Sequence, residues 1–286
     1  MDRIRTIKPW FIARSLALDI QFVKNYKSWG LVDRLLFLTK KYYILWKHIF
    51  TPYEFGVSTI RLRGHRLAYE SVFGLAGYQS LLVRTSKMLQ IGNVPLNVVI
   101  DIGANVGLFS LLIQELNPKS RIFAFEPVPE TFTILKSNLQ DYTNTRMFNT
   151  GIGNYKGTAS ISFNAHDSTT SSITDAGTIS INVLPLDAVI DIKKLDLIDL
   201  LKIDVESYEL HVLQGATNTL ARTRFLLIEL TLHDNINYTA SSLIKLLNSN
   251  SFDYQLVTIR AWDHTEDGQL CTVDCLFENV QMRSAR

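Results

Sequence analysis

Cysteine is nearly absent from this chain, with two among 286 residues, Cys271 and Cys275. That scarcity excludes a scaffold held together by disulfides. On one late strand the pair would stand about 13 Å apart at ~3.3 Å per residue, too far to bridge. A reducing, cytoplasmic setting is the expectation. Long apolar runs are missing too. The longest pieces, residues 35–38 and 42–46, fall far short of the ~18–20 residues that span a bilayer. Arg14 and Asp19 interrupt the one stretch a signal peptide could use. Internal repeats and low-complexity tracts are also missing. At 47% apolar and 20% charged residues, the chain is neither disordered nor fibrous, and its length suits one large domain or two small ones.

Net charge is scarce as well, only +2, but the sum hides a split. Residues 1–55 carry ten Lys/Arg against four acids, a net +6. The remainder is therefore −4. Twelve of the thirty aromatic residues also fall in the first 55. Two helices are expected there, over about 10–27 and 31–50. The second would place Leu31, Leu35, Leu38, Leu45 and Ile49 near one face and Lys40, Lys41 and Lys47 elsewhere. Such a segment reads first as an extension docking on the rest of the chain or on a second subunit. The alternative is a peripheral membrane contact, since basic helices rich in Trp and Tyr lie on anionic surfaces.

From about residue 57, apolar runs alternate with helical periods. Strands are expected at 97–102, 120–125, 146–150, 198–204 and 225–230, and helices at 107–116, 128–139, 208–220 and 240–248. Polar β-like stretches at 158–163 and 178–184 flank a Ser/Thr-rich loop. Two last strands, near 254–258 and 271–278, have no helix between them and suggest an antiparallel hairpin. Repeated βα units point to a doubly wound α/β sheet.

The stretch from Val98 to Ser110 reads strand, glycine turn, helix start. Gly103 permits a sharp turn and Gly107 a close helix approach. Dinucleotide sites want G-x-G-x-x-G, with a bare glycine against the pyrophosphate. Here the middle glycine is absent, and Asn105 follows Ala104. Asp101 would repel a pyrophosphate but could accept hydrogen bonds from an α-ammonium group. The pattern D-x-G-x-x-x-G is that of S-adenosylmethionine sites. Glu126, at the end of the next strand and 23 residues after Gly103, can accept both ribose hydroxyls.

Asp101–Ser110, Phe125-Glu126-Pro127, Leu186-Asp187 and the block Leu201-Lys202-Ile203-Asp204-Val205-Glu206-Ser207-Tyr208-Glu209 together resemble the FkbM-type methyltransferase family over about residues 95–232. The resemblance implies a Rossmann-like class I methyltransferase fold, α/β, with a seven-stranded, mostly parallel sheet whose last strand is antiparallel. It implies residues 56–286 as the methyltransferase domain behind a helical extension at 1–55. It also implies S-adenosylmethionine as cofactor, bound by Asp101, Gly103, Asn105, Gly107 and Glu126, and O-methylation of a saccharide or related small-molecule hydroxyl. The family pattern K-I-D-V-E-G-x-E is broken at Ser207, which stands where glycine is usual. Serine can cap a helix, so the turn can survive. A positive φ there would instead imply altered substrate geometry or weaker activity.

Lys202, Asp204 and Glu206 alternate along a strand expected to be buried, where unpaired charges are costly. Placed between 98–102 and 225–230, Lys202 would pair with Asp101 or Glu229. Candidate bases for the hydroxyl proton are Asp204, best placed by motif, then Glu206 and His233, with His166 in the Ser/Thr-rich loop. Asp204, Glu206 and Glu229 could hold a metal, but no His/carboxylate spacing demands one and none is assigned. Nucleic acid is not expected as a partner, because the motif-bearing part is net negative. The rival readings are a nicotinamide-dependent oxidoreductase and a non-catalytic scaffold on the same fold.

Overall fold

The computed structural model describes residues 9–26, 29–50, 58–62, 65–69, 77–162, 172–173, 177–232, 240–249, 252–264 and 270–283. His166 and His233 lie outside them. The chain forms two compact units, which divide between Lys87 and Met88.

The first unit contains helices α1 (Pro9–Asn25) and α2 (Leu31–Phe50), and a hairpin of β1 (Ser58–Leu62) and β2 (His65–Tyr69). The two helices were expected at nearly these positions. An aromatic core joins them, with the Phe22 ring 5.3 Å from Phe37 and 5.7 Å from Trp29. Asp19, Lys41 and Gln79 are buried together. The Lys41 ammonium donates to Asp19 at 2.6 Å and to Gln79 at 2.8 Å, and the Gln79 amide donates to Asp19 at 2.8 Å. Burial pulls Lys41 below its ordinary pKa while Asp19 opposes that shift. Leu31 and Leu35 share a face of α2, as expected, and that face is the exposed one, whereas Arg34 and Lys41 lie inside. The Arg34 guanidinium is held there by the Val23 and Gly30 carbonyls. A π-helical turn, Leu81–Thr85, leads into α3 (Ser86–Ile91), within which the division between units falls.

The second unit follows the expected βα alternation through β3 (Val98–Ile102), α4 (Leu108–Leu116), β4 (Arg121–Phe125), α5 (Pro129–Leu139) and β5 (Thr145–Phe148). A side sheet then forms from β6 (Gly151–Ile152), β7 (Gly157–Ser162), β8 (Ser172–Ile173) and β9 (Ile179–Leu184) in the order β6-β9-β7-β8. The short helix α6 (Ile190–Lys193) precedes β10 (Ile198–Ile203), α7 (Glu209–Gln214), α8 (Thr217–Leu220), β11 (Thr223–Thr231) and α9 (Ala240–Leu247). The chain closes with β12 (Asn248–Ser249), β13 (Phe252–His264) and β14 (Leu270–Asn279).

The main sheet runs β12-β13-β14-β11-β10-β3-β4-β5. Seven strands are substantial and β12 adds two residues at the edge. β3, β4, β5, β10 and β11 pair in parallel, and β14 lies antiparallel between β11 and β13. This is the doubly wound sheet with an antiparallel last strand that the resemblance implies. All six residues of β10 are buried, as a central parallel strand covered on both faces requires. The single helix expected at 208–220 is broken at Gly215 and Ala216. A Cβ at Gly215 would come within 1.8 Å of the Gly153 carbonyl oxygen, so the main chains touch where only glycine fits. Cys271 and Cys275 both lie on β14 and are free thiols.

Candidate functional site

The carboxyl ends of β3, β4, β10 and β11 bring the motif residues together, where open α/β sheets place their ligands. The register explains the grouping. Lys202 of β10 stands beside Asp101 of β3, and Ile203 beside Ile228 of β11. Glu229 is thereby delivered to the turn that follows β10.

The loop after β3 is held from every side. Gly103 and Gly107 both have positive φ, 72° and 88°. A Cβ on Gly103 would lie 1.8 Å from the Asp204 carbonyl oxygen, and one on Gly107 would lie 2.8 Å from Leu135 Cδ1. The two glycines therefore let this loop pass against the β10 turn and let α4 approach α5. Asn105, where a dinucleotide loop has its middle glycine, also takes positive φ, 50°. Asparagine tolerates that region better than most residues.

Every N–H from Gly103 to Gly107 donates within the protein. Those of Gly103 and Ala104 reach the Phe125 carbonyl at 3.1 and 2.9 Å, and that of Gly107 the Ala104 carbonyl at 2.8 Å. Asn105 donates to Glu126 Oε2 at 3.0 Å, and Val106 to the Asn105 side-chain oxygen at 2.7 Å. The other oxygen of Glu126 accepts from the Val128 N–H at 2.9 Å. Glu126 thus pins the glycine loop to the end of β4.

Asp101 is wholly buried. Its Oδ2 accepts from the Ser110 hydroxyl at 2.7 Å, and its Oδ1 faces the Lys202 ammonium at 3.3 Å. Lys202 also donates to the Gly103 carbonyl at 2.9 Å and lies 3.3 Å from Asp204 Oδ2. Of the two partners expected for Lys202, Asp101 is in contact. The other ion-pair contact goes to Asp204 on the same chain segment, not to Glu229. Burial alone would pull the Lys202 pKa down, but the charges of Asp204 and Asp101 outweigh it and hold the ammonium above its ordinary value.

Carboxylate oxygens of Asp204, Glu206 and Glu229 lie within 4.8 Å of one another. Burial raises the Glu229 carboxyl well above the usual range. Asp204, Asp274 and Glu206 push it further, and Lys202 opposes them. The three carboxylates could hold a cation by spacing alone, but the Lys202 ammonium already sits on Asp204 and supplies positive charge to the group.

The turn after β10 carries two consecutive non-glycine residues at positive φ, Glu206 at 51° and Ser207 at 71°. The backbone therefore keeps a left-handed conformation at the position where the family pattern has glycine. Ser207 does not cap the next helix. Glu209, buried to 1% exposure, performs the satisfying role instead, with Oε1 accepting the Val205 and Ser207 N–H groups at 3.3 and 3.1 Å. The sequence offered a sign of this, an acid at the first position of a helix, although its partners lie upstream rather than within the helix. Ser110, one turn into α4, was likewise not singled out.

A family model described as the methyltransferase FkbM domain matches residues 101–256. Among curated proteins, the chain is 28% identical over 137 residues to hexuronic acid methyltransferase AglP of Haloferax volcanii, covering 47% of this chain and 56% of that protein. It is 28% identical over 153 residues to 2-O-methyltransferase NoeI of Sinorhizobium fredii, covering 46% and 62%. It is 35% identical over 80 residues to methyltransferase sdnD of Sordaria araneosa, covering 27% and 31%. The matches thus span 31–62% of the length of these relatives. The family match covers more than half of the chain and contains the glycine loop, Glu126 and the whole acidic turn, and the chain belongs to the FkbM methyltransferase domain family.

Proposed function

We propose that the protein transfers a methyl group from S-adenosylmethionine to a hydroxyl of a saccharide or related small molecule. One observation carries the choice of cofactor: each N–H from Gly103 through Gly107 is already consumed by an acceptor of the protein. A pyrophosphate bound in the dinucleotide manner needs such donors. It would find instead the Glu126 carboxylate at the turn; Asp101, expected to receive the α-ammonium group, is wholly buried against Ser110 and Lys202 and offers a ligand no exposed oxygen. A cofactor that carries a ribose diol and no pyrophosphate suits Glu126 as acceptor. In this reading Glu126 accepts the ribose hydroxyls while it holds the loop. Gly103, Asn105 and Gly107 shape the backbone against the cofactor. Asp101 fixes Lys202, and through it the Gly103 carbonyl.

When bound, S-adenosylmethionine supplies an activated methyl group on a sulfonium. The protein's own task is alignment of the acceptor oxygen, which can supply much of the rate, together with removal of the hydroxyl proton as attack proceeds. Asp204 is assigned that proton. Lys202, 3.3 Å away, orients its carboxylate. Glu206 lies beside it as a further acceptor contact, and His233, two positions after β11 in the sequence, is assigned as a further base. The names of AglP and NoeI, a hexuronic acid methyltransferase and a 2-O-methyltransferase, support a sugar hydroxyl as the acceptor class.

The test is calorimetric titration of the full chain with S-adenosylmethionine and, separately, NADH. It is followed by mass spectrometry of uronic acids and oligosaccharides incubated with protein and cofactor. Binding of S-adenosylmethionine and a methyl adduct on a sugar are expected. Tight NADH binding without S-adenosylmethionine binding would overturn the proposal.

A further inference from the structure

We propose that the outward face of α1 and α2 docks on an anionic membrane surface. The observation is an inverted helix. On α2, Leu31, Val32, Leu35, Leu36 and Tyr43 are all exposed, Val32 to 69% and Tyr43 to 61%. At 100° per residue they form one stripe about 140° wide, and Thr39 and Tyr42 share it. The opposite side of the same helix buries Phe37 together with Arg34 and Lys41, and the two cations need the Val23 and Gly30 carbonyls, Asp19 and Gln79 to be accommodated. A helix whose only neighbour was water would place its leucines inside and its cations outside, because buried charge is costly even when paired. Leu16 and Ile20 of α1 extend the apolar surface, at 49% and 55% exposure. Apolar side chains gathered in this way mark a surface with a partner.

Charge selects the partner. Residues 1–55 hold ten Lys/Arg against four acids; with the buried Arg34, Lys41 and Asp19 set aside, eight cations face three acids. A second copy of the chain would bring the same positive excess against itself. A bilayer bearing anionic lipid is complementary both to the excess and to the apolar stripe. Among the described residues no helix is long and apolar enough to cross a membrane, so the geometry is that of helices lying in the interface plane. Tyr43, at the rim of the stripe, suits the headgroup level.

Vesicle flotation of the full chain tests this. The protein is expected to float with phosphatidylcholine vesicles containing phosphatidylserine, to float less with phosphatidylcholine alone, and to be released by salt. The double variant Val32→Glu/Leu36→Glu is expected to lose about tenfold or more of that partitioning, with an unchanged melting temperature and unchanged S-adenosylmethionine affinity. A wild-type protein that stays at the bottom of the gradient would overturn the proposal. So would a double variant that floats equally well. Equal flotation on the two kinds of vesicle would overturn the anionic part. The assay does not depend on methyl transfer, so its outcome and that of the cofactor titration are separate.

Discussion

Two carboxylates of the site are separable by experiment because they touch different things. Glu126 accepts the Asn105 and Val128 N–H groups and is assigned the ribose. Glu126→Ala is expected to weaken S-adenosylmethionine binding by about tenfold or more, the scale of a lost hydrogen bond to a charged group. Calorimetry reads this directly, and an unchanged Kd would remove the ribose role. Asp204 makes its ion pair through Lys202 and is assigned the acceptor proton. Asp204→Asn is expected to leave the Kd for cofactor unchanged and to lower kcat by about 10²–10⁴-fold. A variant with wild-type kcat would dismiss Asp204 as the base. Glu229 has a different signature. Its pKa is raised from 4.5 to about 10 by burial first, and then by Asp204, Asp274 and Glu206. The folded state therefore holds this proton more tightly than the unfolded state does. Its contribution to stability is full below about pH 4.5 and falls as pH rises toward the folded value. Glu229→Gln carries no such proton. The variant is expected to flatten the decline of stability between about pH 5 and pH 9 and to be the more stable protein at the alkaline end. Urea titrations across that range check it. Magnesium or calcium is expected to leave the wild-type melting temperature unchanged, and a rise would mean that a cation, not a proton, relieves the cluster.

At the scale of elements, the turn between β10 and α7 concentrates strain. Glu206 and Ser207 both adopt a left-handed backbone, which costs an L-residue roughly 1–2 kcal/mol. Ser207→Gly removes the side-chain part of that cost while keeping the N–H that donates to Glu209. Part of the gain is offset by the greater entropy of glycine in the unfolded chain. Net stabilisation of up to about 1 kcal/mol is expected. Ser207→Ala, which keeps the Cβ, is expected to give none, and equal effects of the two in urea unfolding would refute a backbone origin. Much of this element was legible in the sequence. The strand preceding it and the glycine loop it crosses follow from apolar runs and Gly103, and the order β3, β10, β11 from the fold that the resemblance implies. The grouping of Glu229 with Asp204 and Glu206 was legible too, whereas the pairing of Lys202 with Asp204 rather than Glu229 was not. It depends on the pairing of Ile203 with Ile228, and two apolar strands of similar sequence carry no mark of their register. The break at Gly215 was hidden for the same reason, since the Gly153 carbonyl that forbids a side chain there lies 62 positions earlier in the chain. The inversion of α2 escaped because its leucine periodicity is that of an ordinary amphipathic helix. Only the positions of Asp19 and Gln79, which receive Lys41 inside, reveal which face is covered.

Across the whole molecule, charge and packing divide the chain in different places, and the difference is informative. Composition changes near residue 55, where the basic aromatic segment ends. Packing divides at Lys87 and Met88, so the first unit includes the β1–β2 hairpin and Tyr78, whose ring lies 6.5 Å from Trp29. The first unit has an aromatic core of its own around Phe22, Trp29 and Phe37. The second has its large apolar core on the sheet and carries every residue assigned to the cofactor. Ligand stabilisation acts on whatever unfolds together with the binding site. Three of the four tryptophans, Trp10, Trp29 and Trp46, precede the division and only Trp262 follows it. Tryptophan fluorescence therefore reports mainly on the first unit, whereas helix, the main source of far-ultraviolet circular dichroism, is shared by both units, so that signal also carries the second unit's transition. With S-adenosylmethionine at about 100 times its Kd, the second unit's circular dichroism transition is expected to gain about 2.7 kcal/mol, a rise of about 5–10 °C for a unit of this size. The fluorescence transition is expected to stay where it was. A fluorescence transition that rises in step with the other would show that the two cores unfold as one cooperative body, and that ligand at the sheet stabilises the helices that carry the exposed apolar face.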